Sequence, residues 1–406
     1  MHYCGIDWAW EELTLVIVDD QGKPLREFEI NNTLDGFFLA LETIRGLCGE
    51  QGIIFGIEVS NHRFVDFLLS YGYRVYLIHP NSMDKFRKRY KSSGVKNDYL
   101  DAFVIANVVR TDLETLSMIT PRSEITEELG IVLRDRESLI ELKTRLTNQL
   151  IACLKEYFPQ ALKLFSDISC KTSLEFLQAF PTHNEALEVT SNQIESFLRK
   201  SNCLLPKKPQ EIYQTLREKH FPTRAVVIRA KRELTLALVS QIKPLIEQIK
   251  AYDKRIDSLL EQHPDSQIFL SLPGVGKTLA AGMISLLGDE RGRFDSPKQI
   301  QALGGTAPIT KSSGSYSFAM FRFSCNKELR NILTQFAFTS ITKSLWARSY
   351  YKQKRKEGKT NSHALRCLAN AWVKVIFAIW KKKTVYNEDF HLASISRHLI
   401  NNKLYA

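Results

Sequence analysis

The spacing of apolar and polar residues predicts a mixed α/β region at the start of the chain. Short runs rich in β-branched and apolar residues predict five strands, of which the first three follow one another around a breaker-rich turn at 19–24. Helices then alternate with strands, and this order predicts a mixed sheet covered by helices. The predicted strands are 3–7, 13–18, 25–30, 53–58 and 74–78, with helices near 33–49 and 61–70 and a further helix opening at 98–101.

Two long amphipathic patterns, 124–158 and 225–260, predict long helices with charged outer faces. Helices of this kind most often pair as an antiparallel coiled coil, either within one chain or between subunits. Pro244 is expected to kink the second helix. The stretch between them, about 159–222, shows short helical segments and receives no chemical role.

The pattern changes again at residue 266, where Leu272–Thr278 reads Leu-Pro-Gly-Val-Gly-Lys-Thr. A phosphate-binding Walker loop would need glycine where Ser271 stands, so we favour a helix-hairpin-helix element that holds a DNA phosphate on backbone N–H groups. A loop dense in small and hydroxyl residues is expected over 302–315, followed by helices near 325–345 and 361–381. The predicted domains are a nuclease domain (1–115), a helical coiled-coil connector (116–265) and a mainly helical C-terminal domain (266–406).

Composition narrows the class of protein. The chain has 406 residues, 44% of them hydrophobic, which is enough for two or three folded domains. Its seven cysteines are scattered and form no Cys-x-x-Cys pair, which argues against a disulfide framework or a zinc site and for a reducing compartment. No apolar run reaches the roughly 18 residues of a membrane span, and a strand is predicted at once, with no room for a signal peptide. We therefore expect a cytoplasmic protein with no membrane partner.

The net charge of +12 is concentrated in two stretches. Residues 343–383 hold twelve Lys/Arg and a single acidic residue, Glu357, and residues 85–96 hold six Lys/Arg and no acid. Such clusters favour nucleic acid because neutralised phosphates release counterions, although a solubilising surface is the simpler alternative. The residues predicted to bind nucleic acid are Arg87, Lys88, Arg89, Lys91, Lys277, Arg322, Lys354, Arg355 and Lys356.

Four carboxylates are the candidate metal ligands. Asp7 and Glu58 lie at the ends of predicted strands, while Asp98 and Asp101 are three apart and would share one helix face. Ordinary capping and turn roles explain each of them singly, since Asn97 or Asp98 can cap the helix. If the first and fourth strands are neighbours, all four converge and need divalent cations, and their oxygen ligands favour Mg²⁺ over zinc.

Two sets of motifs resemble one known family. Gly5-Ile6-Asp7, Gly56-Ile57-Glu58 and the segment 96–102 resemble the Asp-Glu-Asp-Asp signature of a RuvC-like (RNase H-like) nuclease domain, and more narrowly that of the insertion-sequence one-ten family of transposases. The segments 272–276, 304–308, 312–314 and 326–330 resemble the second domain of that family. Two departures from the family pattern are Ser312, which stands where the family has Gln, and Cys325, which stands where it has Gly.

The resemblance implies a composite active site. The four carboxylates would bind Mg²⁺, and Ser313 would attack a DNA phosphate to form a covalent phosphoserine link, with Ser312 as the alternative nucleophile. It also implies donor and target DNA and a structured non-coding guide RNA as partners, and the long helices suggest a dimer or tetramer. The alternatives are a hydrolytic RuvC-like endonuclease, in which Ser313 only forms a loop, and a non-catalytic scaffold that binds RNA or DNA.

Overall fold

A computed structural model describes most of the chain and divides it into two compact units. Unit 1 combines residues 1–123, 288–331 and 369–381, and unit 2 combines 124–287, 332–368 and 382–406. These two units are defined by packing and do not test the three domains expected from the sequence, which stay a prediction. The C-terminal part of the chain contributes to both units. The described residues are 1–49, 52–58, 62–78, 83, 86, 97–120, 122–200, 209–218, 222–313 and 316–393.

The centre of unit 1 is a mixed sheet, as the sequence predicts. Within the described ranges it has six strands in the order β3-β2-β1-β4-β5-β6. Strand β1 pairs in parallel with β4 and β4 with β5, while the other pairs are antiparallel. The first and fourth strands are therefore neighbours, and the short β6 is an addition that the pattern did not predict. The strands are β1 (His2–Trp8), β2 (Glu12–Val18), β3 (Pro24–Asn31), β4 (Ile53–Ile57), β5 (Arg74–Leu77) and β6 (Ser117–Met118).

Helices cover both faces of this sheet. On one face, Cys4 and Ile6 share a core with Phe37 of helix α1 (Leu34–Cys48) and Phe64 of helix α2 (Arg63–Ser70). On the other face, Val16 packs with Ala102 of helix α3 (Asp98–Asp112). The alternation of inward residues along β1 and β2 explains this division, because successive side chains of a strand point to opposite faces.

The two predicted long helices form the centre of unit 2. Helix α4 (Glu124–Tyr157) and helix α10 (Ala225–Gln262) lie side by side within the chain, and α10 continues through Pro244. Their cross-helix contacts run in opposite directions, since Nε of Arg136 donates to Asp253 at 2.6 Å and Nζ of Lys231 reaches Glu156 at 2.8 Å. The pair is therefore antiparallel. Between them in sequence come α5 (Ala161–Leu164), α6 (Lys171–Ala179), α7 (His183–Leu187), α8 (Ser191–Lys200) and α9 (Pro209–Leu216).

The C-terminal part corrects one expectation. The loop expected over 302–315 contains a strand, β7 (Ile309–Ser313), which pairs with β8 (Tyr316–Met320) as an antiparallel hairpin. β-Branched and aromatic residues on both sides of residues 314 and 315 favour strands, which accounts for this pairing. The helices here are α11 (Ser266–Leu270), α12 (Lys277–Leu287), α13 (Pro297–Leu303), α14 (Lys327–Lys343), α15 (Leu345–Lys356) and α16 (Asn361–Lys382). Helix α15 was not predicted.

Among the helices in the described ranges, none combines the length and the apolar character that a bilayer crossing requires.

Candidate active site

Asp7 and Glu58 lie at the carboxyl ends of neighbouring parallel strands. Ile6 of β1 is paired with Ile57 of β4, so the next residue of each chain segment, Asp7 and Glu58, comes at the same end of the sheet. Both carboxylates are partly buried. Side chains two apart in a strand share a face, so Asp7 lies on the face of Gly5, and Glu58, directly after β4, continues the alternation of Gly56.

The two glycines identify that face as the one covered by α3. A Cβ added to Gly5 would lie 1.9 Å from the carbonyl oxygen of Ala102, and one added to Gly56 would lie 2.3 Å from Cγ2 of Val109. Such distances leave no room for a side chain, so the backbone of α3 lies almost directly on β1. Glycine at residue 5 is therefore needed for the close approach of helix and strand.

The direction of α3 follows from its contacts at both ends of the sheet. The turn between β2 and β3 lies at the end of the sheet where β1 begins, because Val18 pairs with Tyr3. A Cβ on Gly22 in that turn would meet Asn107 and Arg110, which belong to the last part of α3. Helix α3 thus runs antiparallel to β1, and its N-terminus lies at the end of the sheet that carries Asp7 and Glu58.

Asp98 and Asp101 occupy the first turn of α3. Asn97 caps the helix, because its Oδ1 accepts the N–H of Tyr99 at 3.0 Å, so Asp98 is not needed as the cap. The side chain of Asp98 is exposed, whereas Asp101 is 2% exposed. The sequence alone predicted a shared helix face for these two carboxylates, and the structure adds the end of the sheet at which that face lies.

The four carboxylates are gathered at one end of the sheet without forming a closed cage. In the described part of the chain, no three His, Cys, Asp or Glu side chains are grouped closely enough to hold a metal ion by themselves. Mg²⁺ rarely needs such a group, because it keeps several waters and is usually bound through one or two carboxylates together with phosphate oxygens. The all-oxygen donor set fits a hard divalent ion, and the arrangement fits an ion that binds together with a nucleic-acid phosphate.

The predicted nucleophile lies at the tip of a hairpin. Ser313 is the last residue of β7 and is paired with Tyr316, and Ser312 is paired with Ser317. Residues 314 and 315 lie outside the described residues. The hairpin belongs to unit 1, which is also the unit of the carboxylate sheet.

Two arginines anchor the base of this hairpin. Nε of Arg322, which follows β8, donates to the carbonyl of Ala307 at 3.4 Å, and Arg330 donates to the carbonyl of Arg322 while its guanidinium lies 4.5 Å from the ring centroid of Phe321. Gly305 has φ +61, and a Cβ there would clash with Arg330. Arg330 is the last residue of the 326–330 motif, and its contacts support the base of the hairpin.

Asn326 connects the same region to helix α14. Its Oδ1 accepts the N–H of Leu329 at 2.8 Å and its own N–H donates to the carbonyl of Leu303 at 2.7 Å. Thr306 Oγ1 donates to Oδ1 of Asn370 at 3.0 Å. Asn326 is therefore tied to the residue directly before the 304–308 motif, and Thr306 of that motif is tied to α16.

The predicted nucleic-acid contacts differ in how much positive charge they present. Arg87, Lys88, Arg89 and Lys91 lie outside the described residues. Nζ of Lys277 lies 3.0 Å from Asp257 and 3.6 Å from Glu261, and the hydrogen bond to Asp257 raises the pKa of this lysine. Its charge is therefore already neutralised by two carboxylates.

The basic stretch at the end of α15 is only partly neutralised. Lys354 lies 2.9 Å from Glu357, and the hydrogen bonds from Lys354 and Lys359 lower the pKa of Glu357 to about 2. Arg355 donates to the carbonyl of Lys359 at 2.8 Å, and Lys356 is exposed. This surface remains strongly positive because one carboxylate faces several cations.

His62 is a residue at the carboxylate end of the sheet that the sequence analysis missed. It caps α2, since its Nδ1 accepts the N–H of Phe64 at 3.2 Å, and its ring lies 5.4 Å from that of Trp8. Burial, followed by the charge of Arg63, lowers the pKa of His62 and favours the neutral imidazole. The sequence feature that could have indicated this role is a histidine directly before a predicted helix, although histidine is not among the usual N-cap residues.

Comparison with known proteins identifies both parts of the chain. Residues 4–159 match the DEDD family model of IS110 elements, described as a transposase, and residues 266–352 match the model described as the transposase IS116/IS110/IS902 family. The first match contains all four carboxylates, and the second contains the serine hairpin.

Curated relatives align over most of the chain. The mini-circle transposase candidate for IS117 of Streptomyces coelicolor is 28% identical over 91% of this chain and 92% of its own length. The uncharacterized 43.6 kDa protein of insertion element IS110 from the same species is 28% identical over 72% of each chain. The uncharacterized 44.8 kDa protein of IS116 from Streptomyces clavuligerus is 25% identical over 95% of this chain and 96% of its own. With both parts matched in the same order, the chain belongs to the IS110 family of transposases and is an enzyme that acts on DNA.

Proposed function

We propose that this transposase cuts and rejoins DNA through a covalent phosphoserine intermediate, with Ser313 as the nucleophile and Asp7, Glu58, Asp98 and Asp101 as the ligands of Mg²⁺. The observation that carries the proposal is the common position of the four carboxylates at one end of the sheet, beside the first turn of α3. Capping and turn roles account for such carboxylates singly but give no reason for four of them at one end of the sheet.

The serine hairpin supports a transfer reaction over simple hydrolysis. A hydrolytic nuclease activates water and has no use for a serine on a well-anchored hairpin, whereas strand transfer needs a protein nucleophile. Arg322 and Arg330 hold the base of the hairpin, which limits its freedom, and the hairpin belongs to the same unit as the carboxylates. Orientation of this kind contributes strongly to catalysis because the reacting groups do not have to be brought together in each encounter.

The proposed reaction exchanges one phosphoester for another. Oγ of Ser313 forms a bond to the phosphorus, the bond from phosphorus to the leaving-strand oxygen breaks, the serine proton passes to solvent, and the leaving oxygen takes up a proton. A hydroxyl of the receiving strand later attacks the phosphoserine and releases Ser313. Mg²⁺ bound by the carboxylates would neutralise charge on the phosphate oxygens. The number of phosphoester bonds is conserved, so strand exchange needs no ATP.

The choice of DNA sites is proposed to rest on a structured non-coding RNA, with the protein in a dimer or tetramer. The support is family membership and the basic surface at the end of α15, whose charge suits a phosphate backbone. Base pairing would then specify sequence while the protein contacts shape and backbone.

The experiment that tests the proposal combines protein, Mg²⁺, labelled donor and target DNA, and RNA transcribed from the flanking element sequence. A denaturing gel is expected to show a protein–DNA adduct that Ser313→Ala and Asp7→Asn abolish. Ser312→Ala is the matched control, because it removes an identical hydroxyl from the adjacent residue of β7, and it should retain the adduct. Free cut ends without an adduct, insensitive to Ser313→Ala, would mean a hydrolytic nuclease.

A further inference from the structure

A single tryptophan projects from the carboxylate end of the sheet into solvent. Trp10 is 86% exposed and lies in the connection between β1 and β2, three residues after Asp7. It is the most exposed large apolar side chain among the described residues. A single exposed apolar side chain is ordinary on a protein surface, so the significance of Trp10 depends on its fixed backbone and on its position at the carboxylate end of the sheet.

The exposure of Trp10 is not a result of a loose loop. The N–H of Ala9 donates to the carbonyl of Glu12 at 2.9 Å, Nδ2 of Asn32 donates to the carbonyl of Trp10 at 3.1 Å, and the N–H of Asn32 donates to the carbonyl of Glu11 at 2.8 Å. The backbone on each side of Trp10 is thus fixed to neighbouring strands. A ring presented on a fixed backbone loses little entropy when it binds.

A second aromatic pair lies at the same end of the sheet as Trp10. Trp8, the last residue of β1, is 38% exposed and its ring lies 5.4 Å from that of His62. Two tryptophans and His62 therefore lie at the same end of the sheet as the proposed metal ligands Asp7 and Glu58. Trp8 directly follows Asp7 in β1 and so points to the opposite face of the sheet, which leaves Trp10, in the connection beyond the strand, as the aromatic residue placed to meet a DNA strand held by the carboxylates.

The charges of the connection indicate which part of a nucleic acid Trp10 meets. Residues 9–12 include Glu11 and Glu12, both exposed, and no cation. A phosphate would be repelled there, whereas the uncharged face of a base would not. Base stacking on an aromatic side chain is strong and does not depend on which base is present.

We infer that Trp10 stacks on an unpaired DNA base next to the phosphate that is cut, and so positions the strand at the carboxylates. This inference rests on the proposed function, since it assumes that DNA is cut at this end of the sheet. The base must be unpaired, or at a strand end, because only then is its face accessible to a side chain. Trp10 is a positioning residue here, without a part in bond making.

The test measures binding of single-stranded oligothymidylate to the full chain without Mg²⁺, so that nothing is cut. Trp10→Ala is expected to weaken binding roughly 5- to 150-fold, the range for loss of one stacked base, and Trp10→Phe to keep most of the affinity. The tryptophan fluorescence of the wild type should be quenched by the oligonucleotide more strongly than that of Trp10→Phe. The matched control is Tyr71→Ala, a 43% exposed aromatic between α2 and β5 at the opposite end of the sheet, which should bind as the wild type does.

Several outcomes would overturn the inference. The first two are wild-type affinity for the oligonucleotide in Trp10→Ala, and a loss of affinity in Tyr71→Ala as large as that in Trp10→Ala. The other two are a lower melting temperature of Trp10→Ala, which would make Trp10 a structural residue, and weaker binding by Trp10→Ala to oligouridylate RNA but not to DNA. The adduct assay separates this inference from the proposed function. An adduct in the wild type with unchanged DNA binding by Trp10→Ala would refute the stacking role only, whereas free cut ends with no adduct in the wild type would refute the phosphoserine mechanism and leave the base contact standing.

Discussion

Replacing Gly5 with alanine tests whether the contact between α3 and β1 holds the carboxylates in place. The new Cβ would lie 1.9 Å from the carbonyl oxygen of Ala102 and 2.5 Å from the backbone nitrogen of Ala106. Real Cβ contacts stay above 3.0 Å, so helix and strand must separate by about 1.1 Å, because no side-chain rotation can relieve a clash with backbone atoms. Overpacking of this kind costs about 1–3 kcal/mol, and the backbone contact puts Gly5→Ala at about 3 kcal/mol.

The displacement also carries Asp98 and Asp101 away from Asp7. Misplacement of catalytic groups by about 1 Å can lower the rate on the order of 100-fold, so we expect adduct formation to fall by about that factor. Gly56→Ala should have a smaller effect, since its Cβ would meet the methyl groups of Val109 and Ile105, which can adjust.

Hydrogen exchange of the full chain measures the effect on α3 directly. Gly5→Ala should lower the protection of the amides in residues 98–112 by roughly 30- to 150-fold, which corresponds to about 2–3 kcal/mol of local stability. Gly46→Ala is the control. Gly46 lies in α1, and a Cβ added there meets no atom of the described residues within 4 Å, so this substitution should stabilise α1 by about 0.5–1 kcal/mol and leave α3 unchanged. Unchanged protection of α3 together with unchanged adduct formation in Gly5→Ala would refute the reasoning.

Three further predictions concern other parts of the molecule. Asp101→Asn, which keeps the shape of a 2% exposed side chain and removes its charge, should lower adduct formation on the order of 100- to 1000-fold while the full chain stays folded by circular dichroism; wild-type activity would remove Asp101 from the site. Lys277→Met should leave the slope of log Kd against log salt unchanged for DNA binding, because Asp257 already neutralises the lysine; a slope reduced by about 1 would show a phosphate contact. Burial raises the pKa of Tyr157 to about 12, whereas the same phenol in the unfolded chain ionises near pH 10. The contribution of Tyr157 to the free energy of unfolding is therefore complete below pH 10 and falls by about 2–3 kcal/mol as the pH rises to 12. Urea unfolding should show this decrease in the wild type and a smaller one in Tyr157→Phe.

The elements at the active site were largely predictable from local patterns. The strands around Asp7 and Glu58 are short apolar runs bounded by breakers, as the sequence indicates. Their adjacency was only a condition of the sequence analysis, and the parallel pairing of β1 with β4 meets it. The spacing of Asp98 and Asp101 fixes their common helix face. The direction of α3 across the sheet was not predictable, because it depends on where Gly5 and Gly22 meet the helix in three dimensions, and that contact has no trace in the local pattern.

The loop expected before Ser313 was wrong, and the surroundings of Lys277 were not predictable from the sequence. Small and hydroxyl residues dominate the segment before Ser313, so composition indicated a loop, although the flanking β-branched and aromatic residues and the Gly314-Ser315 pair favour a hairpin. For Lys277 the sequence suggested an open phosphate site, yet Asp257 and Glu261, one turn apart on α10, face it. Charge pairing between two helices is set by how they pack, which the local sequence pattern does not give.

Unit 1 is assembled from three separate stretches of the chain, and this affects how the protein is made. Residues 1–123 leave the ribosome first and carry all four carboxylates, but about 160 residues follow before the stretch that contains the serine hairpin. At 5–20 residues per second, that interval lasts about 8–32 s. During synthesis the residues of the carboxylate sheet are therefore all present before the hairpin that carries the proposed nucleophile. Under the proposed phosphoserine mechanism, chains that stop before this hairpin should hold the four carboxylates and form no adduct with DNA.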